Sequence, residues 1–92
     1  MGNRRAHILI KGEVQGVFYR FWTKKRAESL GLRGWVKNNQ EGQVEAVFEG
    51  PGERVEKMIK KCRKGSPLAK VEQVKVIWQK SSGEFTGFQV IK

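Results

Sequence analysis

The sequence predicts an α+β sandwich in which two α-helices cover one face of an antiparallel β-sheet. Several short segments alternate between apolar and polar residues, as half-buried strands do. Two longer segments repeat apolar residues at the 3.6-residue period of a helix. Their order is strand, helix, strand, strand, helix, strand and then a short edge strand, which is the ferredoxin-like βαββαβ order. A chain of 92 residues is typical of one domain, so we expect a single domain over residues 1–92.

The first strand is predicted over residues 6–11. Ile8 and Ile10 point to one side of it, and His7 points to the other. His7 is the single histidine of the chain, and no partner for it is identifiable nearby in the sequence, so we expect a solvated strand residue.

The first helix is predicted over residues 21–30, with Trp22 and Ala27 on its apolar face. Gly31 is a natural residue to end it. A hairpin follows, and the second helix opens at Pro51 and buries an i, i+3, i+4, i+7 stripe that includes Cys62. The four remaining strands are predicted over residues 34–38, 43–49, 71–78 and 85–91.

The composition limits the possible partners. Nineteen Lys and Arg against nine Asp and Glu give a formal charge of +10, which favours anions but equally describes a basic surface without a partner. A single cysteine, Cys62, excludes an internal disulfide and favours a reducing compartment, so we expect a cytoplasmic protein. No apolar run approaches the ~20 residues of a membrane helix, and we expect no membrane partner.

The segment GEVQGVFYR, residues 12–20, lies between the first strand and the first helix. A glycine-containing turn into a helix directs main-chain N–H groups, including those of the helix start, towards one point. Such a turn is a potential anion-binding site. Arg20 stands at the helix entrance, where its planar fork of donors matches the geometry of a phosphate group.

Several other function classes fit the residues less well. The fold is shared with RNA-recognition modules, but the first strand has no Phe, Tyr or Trp, and the third, QVEAVFEG, lacks their aromatic signature. One histidine, one cysteine and no close carboxylate cluster give no metal site. Residues 12–20 also lack the Gly-Lys-Ser/Thr ending of a Walker loop. A metabolite-sensing regulatory module stays possible, because this fold hosts many functions.

Two motifs resemble the signatures of a known family, the acylphosphatases. GEVQGVFYR, residues 12–20, resembles the first signature, and GWVKNNQEGQV, residues 34–44, followed by Gly50, resembles the second. Their spacing, the chain length and the element order also agree, so the resemblance covers essentially the whole chain. One departure is Tyr19, which stands where the family usually has phenylalanine.

The resemblance implies hydrolysis of the carboxyl–phosphate bond of a small acyl phosphate, giving a carboxylate and inorganic phosphate. It implies that Arg20 binds the phosphoryl group and that Asn38 positions the attacking water. It also implies that loop amides hold the phosphoryl oxygens, and these residues are Gln15, Gly16, Val17, Phe18 and Tyr19. We expect no cofactor and no metal, inorganic phosphate as both product and inhibitor, and a monomer.

This assignment is physically reasonable, since phosphoryl transfer needs mainly positioning and charge neutralisation. The alternative is a non-catalytic basic module of the same fold that binds a phosphate ligand or, as a weaker hypothesis, nucleic acid.

Overall fold

The computed structural model describes residues 2–91. Five strands and two helices follow one another in the predicted order, and two helices pack on one sheet as the sequence predicted. The elements are β1 (Asn3–Glu13), α1 (Tyr19–Ser29), β2 (Arg33–Asn38), β3 (Val44–Pro51), α2 (Gly52–Lys64), β4 (Lys70–Gln79) and β5 (Phe88–Ile91).

The sheet has the strand order β4-β1-β3-β2-β5. β1 pairs antiparallel with β3 and β4, and β2 pairs antiparallel with β3. The edge strand β5 is the exception to the antiparallel pattern, because it runs parallel to β2. The ferredoxin-like fold prediction is confirmed, with β5 as a parallel addition at the edge beside β2.

The core lies between the sheet and the helices. The alternation of β1 buries Ala6, Ile8 and Ile10 on the helix side, and the predicted stripe of α2 buries four side chains there, namely Val55, Met58, Ile59 and Cys62. In α1 the buried residues are Tyr19, Thr23 and Ala27, one every four positions. Thr23 and Ala27 follow the predicted apolar face, whereas Trp22 on that face is only half-buried.

A β-bulge ends the regular part of β1 and directs the chain into the loop before α1. The register between β1 and β4 shifts between Lys11 and Gly12. Gly12 has φ +134°, and a Cβ there would collide with the carbonyl oxygen of Lys70. A bulge bends a strand and re-aims the residues that follow it. Gly12 therefore determines how the following loop approaches the sheet.

Within residues 2–91, neither helix is long and apolar enough to cross a membrane.

Candidate active site

One cavity of about 440 Å³ lies where the loop before α1 meets the ends of β2 and β5. It contains both residues predicted to carry the chemistry, Arg20 from α1 and Asn38 from β2. Three of the predicted loop residues line it as well, namely Gly16, Phe18 and Tyr19. The structure thus brings together residues that are 18 positions apart in the chain.

The loop has a backbone conformation suited to an anion. Gly16 has φ +75°, and Phe18, the one non-glycine residue with positive φ among those described, has φ +60°. Left-handed residues in a turn help successive N–H groups to form a concave anion-binding nest. Within residues 2–91, the N–H groups of residues 15–18 donate to no other main-chain atom. These four donors are therefore available to a ligand.

The start of α1 also favours a bound anion. Phe18 occupies the N-cap position without a side-chain cap, and the first turn contains no acidic residue. The first N–H groups of a helix have no partner within the helix, and they carry a partial positive charge. In α2, by contrast, Glu53 occupies the first turn. Arg20 adds a full positive charge beside the uncapped end of α1.

The guanidinium of Arg20 is held by the edge strand β5. Its Nη1 donates to the main-chain carbonyl oxygen of Ile91 in β5, at 3.1 Å. This bond leaves most of the donors of the fork for a ligand, since a guanidinium has five N–H groups. The sequence contained no signal for this contact, because it depends on the parallel pairing of β5 with β2.

Asn38 is the last residue of β2 and lies half-buried in the cavity wall. Its side-chain oxygen Oδ1 is buried, and it accepts no hydrogen bond from any group within residues 2–91. A buried polar atom without a partner costs about 1–3 kcal/mol. An acceptor kept at that cost and placed in the cavity is suited to hold a water molecule.

Gln15 connects the loop to the β2–β3 turn. Its Nε2 donates to the carbonyl oxygens of Asn39, at 3.1 Å, and of Gln43, at 2.8 Å. The resemblance to the family implied a role for the main-chain amide of Gln15 only, and nothing in the sequence indicated this side-chain role. The bridge fixes the distance between the loop and Asn38, the neighbour of Asn39.

Val17 lies outside this cavity. Its side chain lines a neighbouring apolar depression together with Trp22 and Leu68. The predicted contribution of Val17 concerns its main-chain N–H, which belongs to the group of free donors described above. Val17 thus lines a different depression from the one that contains Arg20 and Asn38, and only Phe18 of the predicted residues borders both.

Tyr19 anchors the start of α1 in the core. Its ring is 1% exposed, and its hydroxyl donates to the carbonyl oxygen of Cys62 at 2.8 Å. Burial raises the pKa of Tyr19 well above its usual value, and burial likewise raises the pKa of the Cys62 thiol to about 12. Cys62 is therefore a core residue, as the sequence predicted, and its thiol stays protonated. The hydroxyl of Tyr19 also stays protonated and acts as the donor of a structural hydrogen bond.

The expectation for His7 was wrong. His7 is half-buried rather than solvated, and its Nε2 lies 2.6 Å from Oε2 of Glu45 on β3. Its ring also meets the edge of Trp35, with ring centroids 5.8 Å apart. The sequence did not reveal the partner because it depends on the β1–β3 register. His7 does not line the cavity that contains Arg20.

Metal-binding residues are not clustered in the part of the chain described. Within residues 2–91, no group of three or more His, Cys, Asp or Glu side chains is placed to hold a metal ion.

Comparison with known proteins identifies the family. The acylphosphatase family model matches residues 6–90. An acylphosphatase of Pelotomaculum thermopropionicum is 47% identical over 90 residues, which cover 98% of each chain. The crystal structure of acylphosphatase from Bacillus subtilis superposes with a TM-score of 0.92 at 31% identity, covering 97% of this chain and 99% of the other. An acylphosphatase structure from Coxiella burnetii gives 0.91 at 34% identity, covering 97% of this chain and 93% of that one. On its motifs, its fold and these similarities, the chain belongs to the acylphosphatase family.

Proposed function

We propose that this protein hydrolyses the carboxyl–phosphate bond of acyl phosphates, with Arg20 and the loop amides binding the phosphoryl group and Asn38 positioning water. The observation that carries the proposal is that Arg20, Asn38 and the loop with free N–H groups face one cavity. Membership of the acylphosphatase family supports the choice of substrate.

The phosphoryl group is bound by charge and by directed donors. In phosphoryl transfer, negative charge spreads over the three equatorial oxygens of the transition state. The N–H groups of residues 15–18 and the fork of Arg20 supply fixed donors on one side of the group. Because Ile91 already holds Arg20, little reorganisation is needed when the substrate binds.

Asn38 supplies the acceptor for the attacking water. The partnerless Oδ1 of Asn38 accepts a hydrogen bond from the water and so directs an oxygen lone pair at phosphorus. The water oxygen bonds to phosphorus, and the bond between phosphorus and the acyl oxygen breaks. The electron pair leaves with the carboxylate, and a phosphoryl oxygen takes the proton of the water.

The residues that line the cavity match this substrate class. Among residues 2–91, they include no histidine and no acidic side chain that would serve as a general acid or base. A carboxylate is a stable leaving group and needs no protonation, unlike the alkoxide that leaves a phosphomonoester. We therefore propose that acyl phosphates are cleaved and phosphomonoesters are not.

We further propose a cytoplasmic monomer that inorganic phosphate inhibits. Phosphate presents the same oxygens to the loop and to Arg20 as the substrate does, so it competes for that site. A single buried cysteine accords with a reducing compartment.

Phosphate release from acetyl phosphate and from a phosphomonoester tests the proposal. We expect many equivalents of phosphate per enzyme from acetyl phosphate alone. Arg20→Ala is expected to lower kcat/KM by about 10³-fold, as the loss of a transition-state arginine does. Arg20→Lys is expected to restore little, because an ammonium does not reproduce the fork.

The matched control is Arg26→Ala, which removes an exposed arginine from another face of α1. It is expected to retain the parental rate. Release that stops at one equivalent would show a binding module without turnover, and full activity of Arg20→Ala would refute the role of Arg20.

A further inference from the structure

One long side of the edge strand β4 has no partner strand. Among residues 2–91, β4 pairs with β1 alone, in an unbroken antiparallel register over residues 73–79. The outward N–H and C=O groups of this stretch bond to no other main-chain atom in that part of the chain. A row of such groups at a sheet edge is a template on which another extended chain can pair. β4 therefore offers a place for one more strand.

A groove of about 390 Å³ lies beside this edge, between β4 and α2. From β4 it is lined by Val76 and by Trp78, which is 41% exposed. From α2 it is lined by residues at the i, i+3, i+4, i+7 spacing of one helix face, namely Glu56, Ile59, Lys60 and Arg63. The side chains of a strand added to β4 would alternate between this groove and the open face of the sheet.

The side chains that line the groove are mostly cationic. Among residues 2–91, Arg4, Lys60 and Arg63 line it, with Glu56 as the one acidic residue. Arg4 is already engaged, because it bonds to Glu56 at 3.0 Å and its guanidinium carbon lies 3.7 Å from the ring centre of Trp78. Neither Lys60 nor Arg63 has a carboxylate of the described chain within salt-bridge distance. These two cations are available to acidic groups of a partner.

The other face of the same edge carries an exposed apolar side chain. Ile77 pairs with His7 of β1 and lies on the open face of the sheet, where it is 44% exposed. An added strand would thus meet cations on the groove side and an isoleucine on the open side. A chain that alternates acidic and apolar residues fits both sides at once.

Charge and main-chain pairing together select the occupant. Two copies of this chain paired edge to edge would each bring a formal charge of +10 and a basic groove. Lys75, which is exposed within the same stretch of β4, adds to that repulsion, as lysines on edge strands do. A nucleic acid would match the charge, but it has no row of alternating N–H and C=O groups to pair with a strand. An acidic extended polypeptide matches both features.

We propose that β4 and the groove beside it bind an extended acidic segment of another protein, which joins the sheet as an additional strand. Main-chain hydrogen bonds to residues 73–79 hold the segment. Its acidic side chains lie towards Lys60 and Arg63, and its apolar side chains lie towards Ile77. The site is separate from the candidate active site, because the two share no lining residue among those described.

The test uses a labelled peptide of seven residues that alternates glutamate and valine, the length of the unbroken stretch at residues 73–79. We expect it to bind and to slow the hydrogen exchange of outward amides of β4, followed by NMR. A peptide that alternates lysine and valine is expected not to bind. A second control has the same four glutamates and three prolines, two of them adjacent. It is expected not to bind, because proline donates no main-chain hydrogen bond.

Reversal of charge on α2 tests the role of the groove. The double variant Lys60→Glu/Arg63→Glu is expected to weaken binding of the acidic peptide about tenfold or more, since two attractions become repulsions. The matched control is Lys57→Glu/Lys61→Glu, which changes the net charge equally at exposed positions of α2 outside the groove. It is expected to weaken binding less than about threefold, because salt screens charges at that distance.

Equal losses in the two double variants would overturn the proposal, because they would show attraction by net charge alone. Binding that leaves the amides of β4 unprotected, or equal binding of a single-stranded oligonucleotide of the same charge, would make the groove a general site for polyanions. Slower exchange of the same amides at raised protein concentration without peptide would assign the edge to a second copy. Absence of binding at about 1 mM acidic peptide would refute the assignment as well.

Discussion

At the scale of single residues, Asn38 lowers the stability of the fold but supplies a hydrogen-bond acceptor in the cavity. Its Oδ1 is buried without a partner in the described part of the chain, whereas the neighbouring Asn39 has both its side-chain oxygen and its side-chain nitrogen hydrogen-bonded. Asn39 Oδ1 accepts from the N–H groups of Glu41 and Gln43, both at 3.0 Å, and so closes the β2–β3 turn. Of the two adjacent asparagines, Asn38 therefore serves the cavity and Asn39 serves the turn. Substituting each one separately distinguishes the two roles.

We predict that Asn38→Ala lowers kcat about 10²–10³-fold, the usual loss when an oriented polar group is removed from a transition state. Its melting temperature is expected to stay unchanged or to rise, because an unsatisfied buried acceptor is removed. Steady-state rates and thermal unfolding measure the two effects. Asn39→Ala is the control, with a lower melting temperature and a nearly parental rate. An Asn38→Ala enzyme of parental rate would remove Asn38 from the mechanism.

Tyr19 is the residue at which the chain departs from the usual family pattern, and its hydroxyl has a structural role. The last carbonyl groups of a helix lack partners within the helix. The Tyr19 hydroxyl satisfies one of them, the carbonyl of Cys62 near the end of α2. It thereby joins the first turn of α1 to the last turn of α2.

We predict that Tyr19→Phe lowers the free energy of unfolding by about 1–2 kcal/mol, because it leaves that buried carbonyl without its donor. The ring itself stays, so no cavity forms. Urea unfolding measures the change as a lower midpoint with an unchanged m value. A midpoint equal to that of the parent would mean that the hydroxyl contributes nothing to stability.

At the scale of elements, the loop between β4 and β5 is held by Glu49 of β3. Glu49 is 5% exposed, and its carboxylate accepts from the N–H groups of Ser82, at 3.2 Å, and Gly83, at 2.6 Å. Burial alone would raise its pKa, but these bonds and that from the Ser82 hydroxyl outweigh burial and hold the pKa below its ordinary value. The anchored loop delivers the chain to β5, which supplies the partner of Arg20.

The pH dependence of stability follows from the lowered pKa of Glu49. A carboxyl with a lowered pKa stabilises the fold above its ordinary pKa of about 4.5, and that contribution is lost as the pH falls through the folded-state value. We predict that Glu49→Gln lowers the free energy of unfolding at pH 7 by about 1–3 kcal/mol, as the loss of charged hydrogen bonds does.

Urea unfolding between pH 3 and pH 7 is the measurement for Glu49→Gln. The variant is expected to lose less stability on acidification than the parent does. Glu41→Gln, in the exposed β2–β3 turn, is the control and is expected to follow the parental pH curve. Parallel pH curves for Glu49→Gln and the parent would contradict the anchoring role of the carboxylate.

At the scale of the whole molecule, periodicity was sufficient to predict the architecture. Ile8 and Ile10 of the alternating first strand are buried, as expected. The residues of the predicted helical stripe of α2 are buried as well. The boundaries of β1, α1 and β5 were less accurate, and β1 covers Asn3–Glu13 rather than residues 6–11. α1 begins at Tyr19 rather than at residue 21, directly after Phe18, which ends the loop in a left-handed conformation. The start was missed because Phe18 is not a capping residue that would mark it in the sequence. β5 covers only Phe88–Ile91 because Glu49 and Arg5 hold the residues before it as a loop.

The candidate site was predictable where its residues act through local motifs. Arg20 and Asn38 belong to such motifs, and both line the cavity. The contacts that position them were not predictable, because the Gln15 bridge and the Ile91 carbonyl depend on which segments the sheet brings together. The exposed position of the Phe18 side chain was not predicted, since only the structure shows that it stays out of the core.

The contact between Arg20 and β5 determines whether activity or folded structure is lost first when the protein is heated. β5 is four residues long, lies at the edge of the sheet and, among residues 2–91, pairs with β2 alone. Short edge segments open locally at lower free energy than the core does. When β5 frays, the guanidinium of Arg20 loses its hydrogen bond to Ile91 while the rest of the sandwich stays folded. On warming, the rate of turnover then falls at a lower temperature than the one at which the sheet melts. The protein therefore loses its activity before it unfolds.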